Sequence, residues 1–425
     1  MNIIKYLQDN NFNGISDHAE ISSDFIRKGI TVSYETMLDA SGNIREKRRY
    51  IFTNSRRNRK FLMNKLCSEA NGLILESPGW RPLAVSTLTP KTNVDTTITT
   101  QLLKEKKYDI FQMEDGTIIN LYYYNLTDKW VISTARGIEV NECVFNTLDY
   151  NNIVDQCLVE MGLVPKEFYD NLDKSINYTI GFKHPDMHPF QENTKGPIYK
   201  IWFVQMAKIN IDTMEIITNN SSPWPQIPNH THVKFNVNSI SILFGKLKSA
   251  YDNFADENIV NYGFLLVAKN PEDFVDKVDY SVLLLESSLM NLIRHLWYDS
   301  GYQKILKDKL YNRINMILLN SFLDDNRMEP FSILFPQYRS RMEDMSAIET
   351  SVVNTIFSSL SGIKKSDEIN PLDGMISILC SQVTSILTVG THQNPKQKIR
   401  DIIHNTSNID YYYTLNNNNE IHIQA

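Results

Sequence analysis

The stretch "YDIFQMEDGTIINLYYYNLTDKWVISTARGIE", residues 108–139, decides how this chain folds. β-Branched, aromatic and aliphatic residues lie on either side of a polar step at 125–129, so it reads as two short strands joined by a turn. Inside it sits Met113-Glu114-Asp115-Gly116, and the methionine is the residue that calls for an explanation.

Outward from this stretch the same texture continues. From about residue 30 to 282 short alternating runs such as "KRRYIFTNS", "NGLILESPGW", "INYTIGFKHP", "PIYKIWFVQMAKINI" and "YGFLLVAKN" are separated by turn residues. Helical spacing interrupts them near 57–69, 147–161 and 238–252, where Ile240, Leu243, Phe244, Leu247 and Tyr251 share one face. After residue 283 the apolar residues recur at i, i+3, i+4 and i+7 with Pro, Gly and Asp at the ends, which predicts helices. The expected fold class is α+β: an antiparallel-sheet domain over 1–282, an all-α C-terminal domain over 283–405 and a polar tail over 406–425.

Composition narrows the classes. The chain has 425 residues, 42% of them hydrophobic and 22% charged, enough for two or three folded domains rather than a disordered chain. Cys67, Cys143, Cys157 and Cys380 form no C-x-x-C pair and no zinc spacing with the histidines, so no disulfide scaffold or metal module is expected. No apolar run reaches the roughly 18 residues a membrane span needs, and a cytoplasmic protein is expected.

A net charge of −6 excludes a uniformly basic coat but not a basic face. Residues 45–65, "REKRRYIFTNSRRNRKFLMNK", place Arg45, Lys47, Arg48, Arg49, Arg56, Arg57, Arg59, Lys60 and Lys65 among Tyr50, Phe52 and Phe61. Guanidinium forks suit phosphates and aromatic rings suit unpaired bases, so this stretch is the expected nucleic-acid contact, with a solvated strand and helix face as the ordinary alternative. The absence of any acid between Glu46 and Glu69 tilts the reading towards binding.

The order "NGLILESPGWRPLAVSTLTPKTN", "MEDGTIINLYYY", "VISTARG", "YTIGFKHPDMHP", "ENIVNYGFLLVAKN" resembles the nucleotidyltransferase domain of the phage-type ATP-dependent RNA ligases, over residues 70–300. The resemblance implies an RNA ligase type, ATP-grasp-like nucleotidyltransferase domain, in some members followed by a helical domain. In that family a lysine opens the K-x-D-G motif and carries AMP as a covalent adduct on the way to RNA, assisted by Mg²⁺-holding carboxylates and further lysines. Glu114, Asp115, Gly116, Gly137 and Gly263 match the family pattern, and Arg136 matches a basic residue near the phosphates.

The charged positions depart from it. Met113 stands where the nucleophilic lysine belongs, Lys183 where a glutamate meets the ribose, Tyr262 where a metal-organising carboxylate is expected, and Val282 and Leu284 where paired lysines close the domain. A thioether cannot form a phosphoramidate. The departures together predict an inactive, ligase-like protein with no resident cofactor and no metal, binding RNA through the 45–65 stretch, Lys129 and Arg136, or serving as an interaction component with a partner on its C-terminal helices. The alternative is an active ATP- and Mg²⁺-dependent RNA ligase whose nucleophile has moved to Lys104, Lys106, Lys107 or Lys129. A viral or low-GC source suits the Asn- and Ile-rich chain, with association with the virion as the corresponding location.

Three smaller features read as structural. His184, Asp186 and His188 would share one face of a strand, but Pro185 and Pro189 make them loop residues rather than metal ligands, with His230 and His232 as the available partners. Trp224, flanked by prolines in residues 220–229, is a surface-loop residue able to anchor a partner. Tyr122, Tyr123 and Tyr124 continue a strand whose alternate faces are core and cleft.

Overall fold

A computed structural model of the chain describes residues 1–38, 44–54, 65–85, 87, 90–92, 96–105, 107–145, 148–188, 190, 198–209, 216–233, 240–269, 282–299, 328–340 and the positions 343, 347, 350, 353, 354, 357, 358, 396 and 399. It divides into two compact units, Met1–Asn291 and Leu292–Ala425.

The first unit begins with two amphipathic helices. α1 (Asn2–Asp9) buries Ile3, Ile4 and Leu7, and α2 (His18–Arg27) buries Ile21 and Phe25. They share a core with one face of a four-stranded antiparallel sheet of β1 (Ile30–Leu38), β2 (Ile44–Asn54), β3 (Asn71–Ser77) and β4 (Arg81–Ala84), the short α3 (Lys65–Glu69) standing between β2 and β3. The two-residue period sorts β2. Tyr50 and Phe52 enter that core with Leu73, Leu75 and Trp80, whereas Ile51 joins Ile74, Leu83 and Ala84 on the opposite face.

Beyond β5 (Lys91–Thr92) and α4 (Thr96–Lys104), the 108–139 stretch makes three strands, not the expected two: β6 (Tyr108–Gln112), β7 (Thr117–Tyr124) and β8 (Lys129–Ser133). The five residues of β6 are too short a run to declare a period on their own, and pairing with a distant strand fixes them. Residues 113–116 leave one sheet and enter another.

The short pair β9 (Val144–Phe145) and β10 (Leu148–Asp149) leads to α5 (Tyr150–Glu160), whose N-cap Asp149 accepts the Asn152 amide, and then to α6 (Pro165–Asp170), with proline in its first turn. Next come β11 (Ile176–Lys183), β12 (Lys200–Ile209) and β13 (Ile216–Asn219), completing an antiparallel sheet in the order β13-β12-β11-β7-β8. Ile153, Val154, Cys157 and Leu158 of α5 and Phe168 of α6 cover one face of it, against Ile119, Leu121, Ile180, Phe182, Ile201 and Phe203. Part of the other face, through Tyr122, Tyr124 and Val131, packs on the first sheet.

α7 (Ile240–Lys248) and α8 (Ala250–Glu257) replace the single helix expected over 238–252, with Ser249 between them. β14 (Gly263–Ala268) and β15 (Val282–Glu286) follow, then α9 (Ser288–Ile293). The third sheet runs β5-β15-β14-β6 and is antiparallel except where β15 meets β5. Leu103 of α4 and Ile240, Leu243 and Leu247 of α7 close its core with Tyr108, Ile110, Phe264, Leu266, Leu283 and Leu285. The helical texture expected from residue 283 thus starts later, at Ser288, because a short apolar run cannot be told from a strand without its partner, here β14.

Residues 228–233 tie the second sheet to the third. Phe203 of β12 bonds Pro228 and His230, while Gln112 and Ile110 of β6 bond Thr231 and Val233, all through backbone groups.

In the second unit Met328–Leu334 is helical, Pro336–Tyr338 forms a 3₁₀ turn, and Trp297 stacks on Phe335 at 5.0 Å and on Tyr338 at 5.1 Å. The expected all-α domain and polar tail fall largely outside the described residues. No described helix is long and apolar enough to cross a membrane.

Candidate functional site

Met113 lies where β6 hands the chain to β7, and its amide donates to the Gly263 carbonyl at 2.9 Å. Gly263 has φ +127°, and a Cβ there would overlap the Leu285 carbonyl, so only glycine brings β14 this close to β15. Antiparallel pairing of Phe182 with Thr117 sets Lys183 beside Gly116, and pairing of Lys183 with Lys200 brings in β12. The motif end of three strands is therefore one place.

Two ion pairs hold that place. Lys183 Nζ stands 3.5 Å from Asp115 Oδ2, both side chains almost wholly buried, and donates to Tyr262 Oη at 2.9 Å. The same ammonium lies over the rings of Phe190 and Tyr262 at 5.3 and 5.4 Å. Beside it Lys200 Nζ meets Glu114 Oε2 at 2.6 Å, with the lysine 31% exposed. Burying a charge without a partner is costly, so each acid of the motif is balanced by a lysine at the end of a neighbouring strand.

Trp202 fills the floor. Its indole lies against Gly181 and Gly116, and a Cβ on either glycine would overlap the ring. It is 3% exposed.

His188 completes the group. Its Nδ1 accepts the His184 amide at 3.2 Å, which leaves the proton on Nε2 to donate to Thr117 Oγ1 at 3.0 Å. Burial pushes its pKa down to about 4, and the nearby Lys183 acts in the same direction while Asp115 opposes it. His184, whose Nε2 lies 2.8 Å from Gln156 Oε1, is lowered by burial as well. His184, Asp186 and His188 occupy a turn whose backbone bonds back on itself, as expected of loop residues, and no group of three metal-ligating side chains occurs among the described residues.

Other expected site residues scatter. Arg49 is turned inward: its guanidinium bonds Glu35 at 2.8 Å, Glu139 at 2.7 Å and the Tyr122 hydroxyl at 3.1 Å, and it lies 4.8 Å over Tyr124. This corrects its reading as a surface phosphate contact. It joins the first two sheets. Burial alone would lower its pKa, but Tyr122, Glu139 and Glu35 outweigh that and hold it above the ordinary value. Lys129 pairs with Glu139 at 2.5 Å; burial opposes ionisation of Glu139, yet its bonds from Lys129 and Arg49 hold its carboxyl below the usual range.

Lys47 pairs with Glu76 at 3.2 Å while 46% exposed, and Arg48 lies 5.4 Å over Tyr34. Arg136 is exposed at the tip of a turn in which the Thr134 hydroxyl accepts the Arg136 and Gly137 amides. This turn nests against Gly72 at the start of β3, next to the end of β2. Arg45 is on β2, and Arg56, Arg57, Arg59 and Lys60 lie outside the described residues.

Val282 and Leu284 sit on β15 with Glu286 on the face opposite Leu283 and Leu285, as the two-residue period requires. Tyr122 and Tyr124 both face the first sheet, and Tyr123 is the half-exposed member, bonded to Asp128 and Lys174. Trp224 packs against Phe168, Tyr178 and Phe203 rather than standing free for a partner. Lys200 and Trp202 escaped the sequence reading because neither belongs to a motif. The signal that finds them is reciprocal: Glu114 and Asp115 beside Lys183, where the resemblance leads one to expect an acid, need cations, and a glycine two residues before that lysine leaves room for a ring.

No family model matches the chain. A protein of African swine fever virus, isolate Tick/Malawi/Lil 20-1/1983, described as "Putative RNA-ligase", is 25% identical over 321 residues, covering 69% of this chain and 68% of its own length. The similarly described protein of strain Badajoz 1971 Vero-adapted is 23% identical over the same length. Among solved structures an archaeal ATP-dependent RNA ligase aligns over 95% of this chain and 97% of its own, at 11% identity and a TM-score of 0.39, too low to carry an argument about fold. The chain is thus a homologue of viral proteins described as "Putative RNA-ligase".

Proposed function

We propose that this is an RNA ligase-like protein that has lost adenylate transfer and holds nucleic acid without sealing it. The observation that carries the first half is the occupation of the motif. Met113 offers a thioether in place of an amine, and Glu114 and Asp115 are each matched to a lysine. Tyr262 and Lys183 stand where carboxylates are expected, and Val282 and Leu284 would set apolar groups against a polyphosphate. These residues do not fit ATP or Mg²⁺, because nucleotidyl transfer depends on positioned charge more than on any single contact. The second half rests on Lys47, Arg48 and Arg136, and on the basic residues Arg56, Arg57, Arg59 and Lys60 that follow β2 in the sequence.

The displaced-nucleophile reading is favoured by one observation, the half-buried amine of Lys200 beside Glu114. Two other candidate lysines lie away from Met113. Lys129 faces Tyr124 at the far end of β7, about 23 Å from Thr117 at ~3.3 Å per residue, and Lys107 precedes β6 at the end away from Met113.

The test is incubation of the purified protein with Mg²⁺ and α-labelled ATP, then denaturing electrophoresis, with Lys200→Ala alongside. No covalent label is expected. A label that Lys200→Ala removes would overturn the reading and name the nucleophile. RNA binding whose affinity falls steeply with salt supports the second half, and salt-insensitive or absent binding sinks it.

A further inference from the structure

We propose that Lys183, with Lys200 beside it, is a built-in cation for the motif acids, so that this cluster is closed to divalent metal and opens to it when the lysine is removed. The inference deepens the reading of the motif given above but can fail independently of it.

The geometry supplies the reasons. Lys183 is 1% exposed and brings its ammonium to 3.5 Å from Asp115 in a space walled by Tyr262, Phe190 and the turn that holds His188. Lys200 takes Glu114 at 2.6 Å. Among the described residues, the two motif carboxylates thus meet two ammonium groups. His188 adds no charge, since burial keeps it neutral at ordinary pH. A hard divalent ion needs several oxygens with net negative charge, and here the two carboxylates have already spent theirs on ammonium groups. The tyrosine hydroxyl that could have been a further oxygen ligand accepts from Lys183 instead. Lys183 is thus a positioning residue: it keeps Asp115, and through it the link between β6 and β7, in place without any metal.

Replacing Lys183 by alanine removes the cation and leaves room beside Asp115. The vacated position then has the Asp115 carboxylate and the Tyr262 hydroxyl, Glu114 staying with Lys200, a small oxygen set suited to Mn²⁺ at the ~1 mM, weak end of protein oxygen sites.

The experiment is Mn²⁺ titration of the full chain, followed by electron paramagnetic resonance of the free ion, on the parent, Asp115→Asn, Lys183→Ala and Lys183→Ala/Asp115→Asn. Expected are no bound Mn²⁺ in the parent, about one per chain in Lys183→Ala, and loss of that site in the double variant. Mn²⁺ held by the parent and released by Asp115→Asn would overturn the proposal. So would a folded Lys183→Ala that binds none. If Lys183→Ala unfolds in metal-free buffer, Mn²⁺ should restore its native tryptophan fluorescence, and failure to do so also counts against the proposal. A parent that takes no label from ATP yet binds Mn²⁺ at Asp115 would refute this inference and leave the inactive-ligase reading standing; a labelled parent would do the reverse.

Discussion

Lys183 Nζ donates to Tyr262 Oη at 2.9 Å, joining the end of β11 to the residue that enters β14, 79 positions later in the chain. The bond is buried and one partner is an ammonium, which places it among the stronger hydrogen bonds. Tyr262→Phe is therefore expected to lower stability by about 1.5–3 kcal/mol, measured by urea unfolding. In a Lys183→Met background the same change should cost almost nothing, and an undiminished cost there would show that the hydroxyl acts through some other contact.

Gly181→Ala should destabilise by about 1–3 kcal/mol, because its Cβ would overlap the Trp202 indole and force the ring or the strand to move. Combining it with Trp202→Leu should recover most of the loss. Equal stability of Gly181→Ala and the parent in thermal unfolding would mean that the indole does not lie over that strand.

Acid should weaken the first unit before its carboxylates titrate. The folded-state pKa of His188, about 4, is below its ordinary 6.5, so between those values the unfolded chain binds more protons. The contribution is whole above pH 6.5 and is lost as pH falls towards 4, on the order of 3 kcal/mol for a shift of this size. His184 and His230, both lowered by burial, add the same sign. Asp115, Lys183, His184 and Thr117 surround the ring, and Asp115 favours its protonation while burial and Lys183 oppose it. Stability measured from pH 7 to 4 should slope less in His188→Gln, and parallel slopes would dispose of the assignment.

Two arginines predicted alike should behave differently. Arg49→Ala should cost about 1.5–3 kcal/mol, since it strips Glu139 and the Tyr122 hydroxyl of a charged partner. Arg136→Ala should leave unfolding unchanged and reduce the salt slope of RNA binding by about 1. An Arg136→Ala protein with parental salt dependence would remove that residue from the binding face.

Much of the strand content was legible, because alternation in "GTIINLYYYN" and "KWVISTA" is a local property that survives in β7 and β8. β6 and β15 were not, since each is a five-residue run whose state is fixed by β14, far away in sequence. The motif itself was found through Asp115 and Gly116, yet its charge balance was hidden. Lys183 read as a lost acid, and only the pairing of β11 with β7 and β12 turns it into the counter-ion of Asp115 and the neighbour of Lys200. Arg49 misled for the reverse reason. Its neighbour Arg48 is basic and lies over Tyr34, but one residue along a strand changes the face, and the face that carries Arg49 and Lys47 meets Tyr122, Glu139 and Glu76.

The 228–233 segment constrains how the space around Met113 can change size. With Phe203 bonded to Pro228 and His230 on one side, and Gln112 and Ile110 bonded to Thr231 and Val233 on the other, the second and third sheets cannot swing apart like a book without rupturing the pair of backbone bonds on one side of the segment. The amides of Gln112, Phe203, His230 and Val233 should accordingly exchange with solvent at a common rate, as one cooperative unit. Any visitor to the motif must enter by side-chain rearrangement, with the spine of the book held shut.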